Sequence, residues 1–372
     1  MAARNLATQY SKAVDERFHR ESQVMMALND EYKFTGAKTV AIYSIPVVPM
    51  NDYQRTGSGR YGTPDDLGTN VQNCTVNRDR SFTFIIDRGD KIQSQMVQDA
   101  GKALSRQMNE VCIPEFDTYV FRVWAAAATA RGAYRKDAIT KDNAYEMFLA
   151  GMEHLGNHNV PDDGRVCFCS YKFANFLKQD PAFMKSGDKS QKMLEKGYIG
   201  DVDGCKIVKV PSSRLPAGAA FLITHKVAST APKQLNDYKI HDNPPGISGW
   251  LVEGRMIYDC FVLNEKADAI YYHGDQPVLK NLLVNVSSGN GKANIVVISE
   301  LEGASRKYVT AASADKLPAV TFGTALSGDA GWKALGSSNA EITPTSGHTA
   351  IRVVEVDAAG KPIAYCDSVL NA

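Results

Sequence analysis

The sequence predicts an α+β chain that ends in a separate all-β unit. Three observations carry that expectation. Helical periodicity runs from Asp90 to Arg131, short strands and helices then alternate from 141 to 263, and from about 276 onward strands follow one another without helices. With 372 residues and 44% hydrophobic composition, the chain has apolar material for about two or three domains.

Taken in order, residues 4–28 read as an amphipathic helix, with Leu6, Tyr10, Val14, Phe18 and Met25 at helical spacing. One short helix makes no core, so this arm must dock on something else. Thr39 to Pro49 reads as a strand, and Cys74 to Ile86 as a second. Between them MNDYQRTGSGRYGTPDDLGTN has almost nothing to bury. Residues 36–90 therefore form a long two-stranded excursion with a mobile tip. Such a ribbon is marginal alone in water and should lie on another subunit.

Asp90 is the expected N-cap of a long helix whose apolar stripe is Ile92, Met96, Ala100, Leu104, Met108 and Val111. Pro114 should kink or restart it, after which Phe116, Val120, Val123 and Trp124 continue to about Arg131. At about 1.5 Å per residue the two pieces would span roughly 60 Å. Residues 141–156 form another amphipathic helix, followed by strand VCFCS, helix YKFANFLKQ and the hairpin YIGDVDGCKIVKV, turned at Asp203-Gly204. Strands at 221–228 and 256–263 complete this α+β part. The strands KNLLVNVS, ANIVVISEL, RKYVTAA, TAIRVVEVD and KPIAYCDSVL then suggest a small β-sandwich.

Composition narrows the function classes. The 42 basic residues against 41 acidic ones leave a charge of +1, so no long-range field marks a dedicated nucleic-acid or membrane-surface binder. The first residues carry charges throughout and lack the apolar stretch of about 7 to 15 residues of a secretory signal. No run of about 18 apolar residues follows. The seven cysteines are scattered and never spaced Cys-x-x-Cys, which points to reduced thiols in a cytosol-like compartment.

Candidate chemistry is sparse. Gly57-Ser58-Gly59-Arg60-Tyr61-Gly62 spells a dinucleotide fingerprint, but polar loop sequence flanks it where a strand and a helix belong. His154 and His158 are four apart, as metal ligands on a helix would be, yet Gly156 and Asn157 lie between them and a turn follows. Cys167 and Cys169 alternate with Val166 and Phe168, so both thiols share one strand face as small apolar groups. No nucleophile elbow, P-loop or cysteine-histidine-asparagine signature is present. Arg4, Lys12, Arg17, His19 and Arg20 give the arm a mildly basic face, offset by Asp15, Glu16 and Glu21. The sequence assigns no catalytic, cofactor-binding or metal-ligating residue, and the expectation is no enzyme.

The order of parts, a helical arm, the long loop AKTVAIYSIPVVP to FTFIID, the helix ending VCIPEFDTYVFRVWAAAA, and DGRVCFCSYKFANFLKQDPAF with GYIGDVDGCKIVKVPSSRLP, the last two being the most specific stretches, resembles the major capsid proteins of tailed double-stranded DNA bacteriophages. The resemblance covers roughly residues 1 to 275. It implies an N-terminal arm at 1–35, an extended E-loop at 36–90 lying across a neighbour, and a P domain at 91–140 built on the spine helix. It further implies an A domain at 141–238, a return to the P domain at 239–275, and an added immunoglobulin-like β-sandwich decoration at 276–372. The implied function is a virion shell of pentamers and hexamers, assembled in the host cytoplasm around packaged DNA. Implied partners are the chain itself, a portal, a separate scaffold protein since no long leader precedes the arm, and a cement protein. Contact with DNA would be weak and non-specific, and no membrane is involved. A cellular nanocompartment of the encapsulin type is the alternative.

Some relatives crosslink through an E-loop lysine. Between Thr39 and Asp90 there is none, only Arg55, Arg60, Arg78, Arg80 and Arg88, with Lys38 and Lys91 at the base. A guanidinium that stays protonated is no amine nucleophile. The shell is expected to be non-covalent.

Overall fold

The computed structural model describes residues 22–32, 38–56, 58–64, 66–93, 100–180, 198–282, 284–289, 292–297, 305–321, 323–326, 328–337 and 339–370. Most of the expected arm helix lies outside them. Residues 22–28 are described: Val24–Ala27 is a 3-10 turn, not an α-helix. Val24, Ala27 and Leu28 are buried against the helix at 113–130, while Met25 faces solvent.

Strands β1 (Thr39–Ser44) and β2 (Asn70–Thr75) pair antiparallel, Thr39 opposite Thr75 and Ser44 opposite Asn70. The single strand expected at 74–86 is instead two. The chain turns at Val76–Asn77, where the Asn77 N–H donates to the Asp259 carboxylate at 3.1 Å, and β3 (Arg78–Asp87) joins another sheet. Helix α1 (Arg88–Gln93) starts two residues before Asp90. Its cap is Asp87, whose carboxylate accepts from the Gly89 N–H at 2.8 Å.

Helix α2 (Ala100–Gln107) runs without a break through a π turn (Met108–Cys112) into α3 (Ile113–Ala130). Pro114, expected to kink or restart this helix, lies in the first turn of α3, where the α-helix restarts after the π turn. The Ile113 N–H bonds five residues back to the Met108 carbonyl, so the wider register accommodates a residue that cannot donate and would crowd a tighter turn. The continuous rod spans about 45 Å at about 1.5 Å per residue. The extra residue of the turn also carries Val111 off the packed face. Val111 is 45% exposed and Ile92 63%, so the predicted stripe does not hold at those two positions.

After α3 come β4 (Tyr134–Arg135), α4 (Ala144–Asn157), β5 (Arg165–Ser170), α5 (Tyr171–Gln179), β6 (Tyr198–Val202), β7 (Cys205–Val210) and β8 (Ala219–His225). Then follow β9 (Ser229–Thr230), β10 (Lys233–Asp242), β11 (Gly249–Tyr258), β12 (Phe261–Val262) and β13 (Ile270–Gly274). A mixed six-stranded sheet, ordered β4-β13-β8-β5-β7-β6, is the centre of the body. Every residue of β5 is buried, as expected for a strand covered on both faces. Val166 and Phe168 face α3, whereas Cys167 and Cys169 face α4 and α5, the alternation read from the sequence. Gly151 lets α4 approach closely: a Cβ there would lie 2.8 Å from Ile223 Cδ1.

Strands β10, β11 and β3 make a three-stranded antiparallel sheet, Arg78 opposite Tyr258 and Asp87 opposite Gly249. The boundary placed after 238 therefore falls inside β10.

The last quarter comprises β14 (Lys280–Asn281), β15 (Val284–Gly289), β16 (Lys292–Val297), β17 (Ser305–Ala311), β18 (Lys333–Leu335), β19 (Asn339–Ile342), β20 (Ala350–Val356) and β21 (Pro362–Val369). They form a five-stranded sheet, β14-β21-β20-β17-β18, and a three-stranded one, β15-β16-β19. Ile295 and Val297 of the smaller sheet share an apolar cluster with Ile351, Val353 and Ala364 of the larger. Strands β18 and β19 had no counterpart in the sequence reading.

Candidate assembly surfaces

The β1–β2 ribbon has two unlike faces. Val40, Ile42 and Cys74 pack on the body against Ile257 and Phe261. Gln72 fixes that side at both ends of its amide, donating to the Val262 carbonyl and accepting from the Asn264 N–H, each at 2.9 Å. The alternate residues face away: Tyr43 is 68% exposed, Ile45 73% and Val47 94%, with Val71 opposite Tyr43. Every described residue from Val47 to Val71 is exposed, and Met50 is almost wholly so. Exposed apolar side chains on one face of a ribbon make that face a candidate contact surface.

The tip beyond the ribbon has local order. The Gln54 N–H donates to the Arg60 carbonyl at 3.0 Å, the Gly62 N–H to that of Gly59 at 2.9 Å, and the Tyr53 and Tyr61 rings meet edge to face at 5.0 Å. Gly59 and Gly62 adopt positive φ, which that turn requires. Gly57 lies outside the described residues. The glycines sit far from any buried strand or helix start, so the fingerprint has no phosphate-binding context.

At the root of the ribbon, polar side chains join the chain to α3. Glu115 accepts from Arg78 Nη2 at 2.9 Å, Arg80 Nε at 2.8 Å and the Tyr258 hydroxyl at 3.2 Å. Tyr119 donates to Asp259 at 2.6 Å, and the Arg78 guanidinium lies 4.5 Å from the Tyr119 ring centre. Burial pushes the Glu115 carboxyl up, but the Arg78 and Arg80 hydrogen bonds outweigh it and hold the group below its usual range. Asp259 goes the other way. Burial raises it despite the bond from Tyr119.

The N-terminal segment is tied down separately. Asp117, fully buried in α3, accepts from Ser22 Oγ at 2.6 Å, the Gln23 N–H at 3.1 Å and Arg214 Nη1 at 2.7 Å. None of this network was legible in the sequence, because its members are about 100 residues apart.

The His154 and His158 rings lie 4.3 Å apart, and His158 Nδ1 contacts the His154 carbonyl at 2.7 Å. Burial and the neighbouring His158 lower the His154 pKa. Among the described residues no three histidine, cysteine or acidic side chains are placed to hold a metal. Burial pushes the Cys167 and Cys169 thiols up, to about 12 for Cys169, which makes them poor nucleophiles. The arm's basic residues Arg4, Lys12, Arg17, His19 and Arg20 lie outside the described residues.

No protein-family model and no curated protein matches the chain. Solved structures do. A chain of Mycobacterium phage Che8 aligns with a TM-score of 0.59 at 18% identity, over 74% of this chain and 99% of that one. The capsid structure of cyanophage P-SCSP1u aligns at 0.56 and 16%, over 72% and 92%. The asymmetric unit of the bacteriophage PhiM1 mature capsid gives 0.55 and 11%, over 72% and 91%. This chain has the fold of phage capsid subunits. The alignments cover nearly the whole of each matched chain and leave about a quarter of this one uncovered.

Proposed function

We propose that this chain is the major capsid protein of a tailed double-stranded DNA bacteriophage, assembling as pentamers and hexamers into an icosahedral shell around packaged DNA. The likeness to phage capsid structures over almost their full length is the observation that carries the reading. The ribbon supports it physically. The loop beyond the six paired residues, positions 45–69, can reach up to about 40 Å past the ribbon at about 3.3 Å per residue, while a globule of this length has a radius of gyration of about 21 Å. In this reading residues 36–90 are the E-loop, and the outward stripe at Tyr43, Ile45 and Val47 is what a neighbour covers. Many such weak contacts close together in a symmetric array.

Residues 91–140 and 239–275 serve as the P domain, and 141–238 as the A domain around the symmetry axes. Residues 276–372, about a quarter of the chain, match in size the share that the structural likeness leaves out, which supports an outward-facing immunoglobulin-like decoration. A portal, a separate scaffold protein and a cement protein are the proposed partners, with weak contact to DNA. The phage names of the matched structures weigh against a cellular nanocompartment. Negative-stain imaging of the purified protein tests the reading: closed shells are expected, and persistent monomers under assembly conditions would end it.

A further inference from the structure

Histidines hold the chain at both ends of α4. Ahead of the helix, His273 of β13 donates from Nε2 to the Asp137 carbonyl at 2.8 Å. Behind it, His225 of β8 donates from Nε2 to the Asp163 carbonyl at 2.7 Å, while its Nδ1 accepts from the Val227 N–H at 3.3 Å. A carbonyl only accepts and a backbone N–H only donates, so the two partners of His225 fix its ring in the neutral form with the proton on Nε2. Both rings are buried, His225 at 4% exposure and His273 at 1%. His273 Nδ1 has no partner among the described residues, and neither has Nε2 of His154 on α4 itself.

A second proton has no good place in these sites. On His225 it would turn Nδ1 into a donor aimed at the Val227 N–H. Lys226, Arg165 of β5 and Lys266 also oppose a charge there. The Asp162 carboxylate is taken by Arg165 at 2.8 Å, and Asp163 reaches the ring through its carbonyl. On His273 the second proton would leave a buried N–H without an acceptor, beside the Phe221 ring stacked 5.1 Å away. Asp137 and Asp275 favour a charge on this ring and Arg135 opposes it, but burial outweighs them all; Lys172 of α5 lines the same recess. His154 stands between His158 at 4.3 Å and Tyr271 at 5.6 Å, with Asp268 favouring its charge and Arg135 opposing it. Burial is the largest cause in each case, and all three groups are held below the ordinary 6.5. An imidazolium could still donate from Nε2. A buried one is driven toward water, however, and the carbonyl it held then loses its donor.

We propose that His225 and His273 form an acid-operated clamp on α4, in which the neutral rings fasten segments 136–143 and 158–164 and protonation loosens both. The released rings bind protons more readily than the buried ones, so the clamp is fully closed above about pH 6.5 and weakens as pH falls through the lower folded values.

The test is hydrogen exchange on unassembled full-length subunits at about pH 7.5 and about pH 5.5, corrected for the intrinsic pH dependence of exchange. Peptides spanning 136–143 and 158–164 should lose protection severalfold on acidification, as should the Lys226 amide, which donates to the Gly164 carbonyl at 3.3 Å. The gain in opening is up to about tenfold for each pKa unit of depression. Helix α3 should keep its protection. His225→Gln with His273→Gln puts a donor that does not titrate opposite each carbonyl and should abolish the acid effect. Unchanged protection in the unmodified chain, or the same loss in the folded double variant, overturns the clamp. A loss spread equally over α3 and the C-terminal strands also overturns it, because acid then acts elsewhere. Circular dichroism at neutral pH checks folding. Should the double variant not fold, each single variant should suppress the loss at its own end only, and loss at both ends would count against the proposal. Imidazole nitrogen spectra of the unmodified chain decide without any variant: titration of His225 and His273 at or above about 6.5 refutes it.

Discussion

Replacing Arg214 with methionine should be one of the most damaging single changes in the body. Arg214 and Asp117 are paired at 2.7 Å with side chains 7% and 0% exposed. Methionine fills much of the same space but donates nothing, so among the described residues Asp117 keeps hydrogen bonds from Ser22 and the Gln23 N–H. Removing one partner of a buried pair costs about 3–5 kcal/mol, because the other charge stays desolvated. That is a large part of the roughly 5–15 kcal/mol that typically separates folded from unfolded chains. Adding Asp117→Asn removes the stranded charge, so the double variant should recover about 2 kcal/mol or more of the loss, a coupling expected of groups in direct contact. Urea unfolding of unassembled subunits measures all three variants. A loss below about 1 kcal/mol for Arg214→Met, the size of an exposed ion pair, would show that water reaches Asp117 and refute the reasoning.

Glu115 is held below its usual value of 4.5, so its contribution to stability is complete above that pH and is lost as pH falls through the lower folded value. Melting temperature followed on acidification should fall less steeply in Glu115→Gln, and parallel curves would contradict the assignment. Gly151→Ala forces a methyl against Ile223 and Tyr271 and should cost about 1–3 kcal/mol by overpacking, readable by calorimetry. A chain ending at Lys280 should fold and remain soluble. One ending at Asp275 also loses Leu279, 5% exposed, and should be less stable by about 1.5–3 kcal/mol. Assembled particles boiled in detergent should run as one band near 40.6 kDa, and a ladder surviving reducing agent would disprove the non-covalent shell.

What the sequence revealed followed local periodicity. The two faces of β5 were readable from Val166 to Cys169, because alternation needs only adjacent residues. The helix around Trp124 was readable for the same reason. Failures came where distant partners decide. Nothing near Val76 announces that the strand breaks there, since the cause is Asp259, 182 positions away. Pro114 marked the place where the α-helix restarts, but the π turn that precedes it leaves no local mark. Val111, in that turn, was misplaced with it. Candidate surfaces were half legible: the loop's apolar and glycine-rich character shows in composition, whereas the Arg78, Arg80, Glu115 and Tyr258 network at the ribbon's root joins three separate elements.

The pairing of β3 with β11 sets a timetable for synthesis. Strand β3 ends at Asp87, and its partner is complete only at Tyr258. At about 5–20 residues per second, the roughly 170 residues between them take about 10 to 30 s to emerge from a ribosome. For that time Phe82, Phe84 and Ile86 have no sheet to join, although such a run is prone to pair with other chains. A nascent chain would therefore be most vulnerable to aggregation in the middle of its translation, and slower elongation would lengthen the exposure of β3.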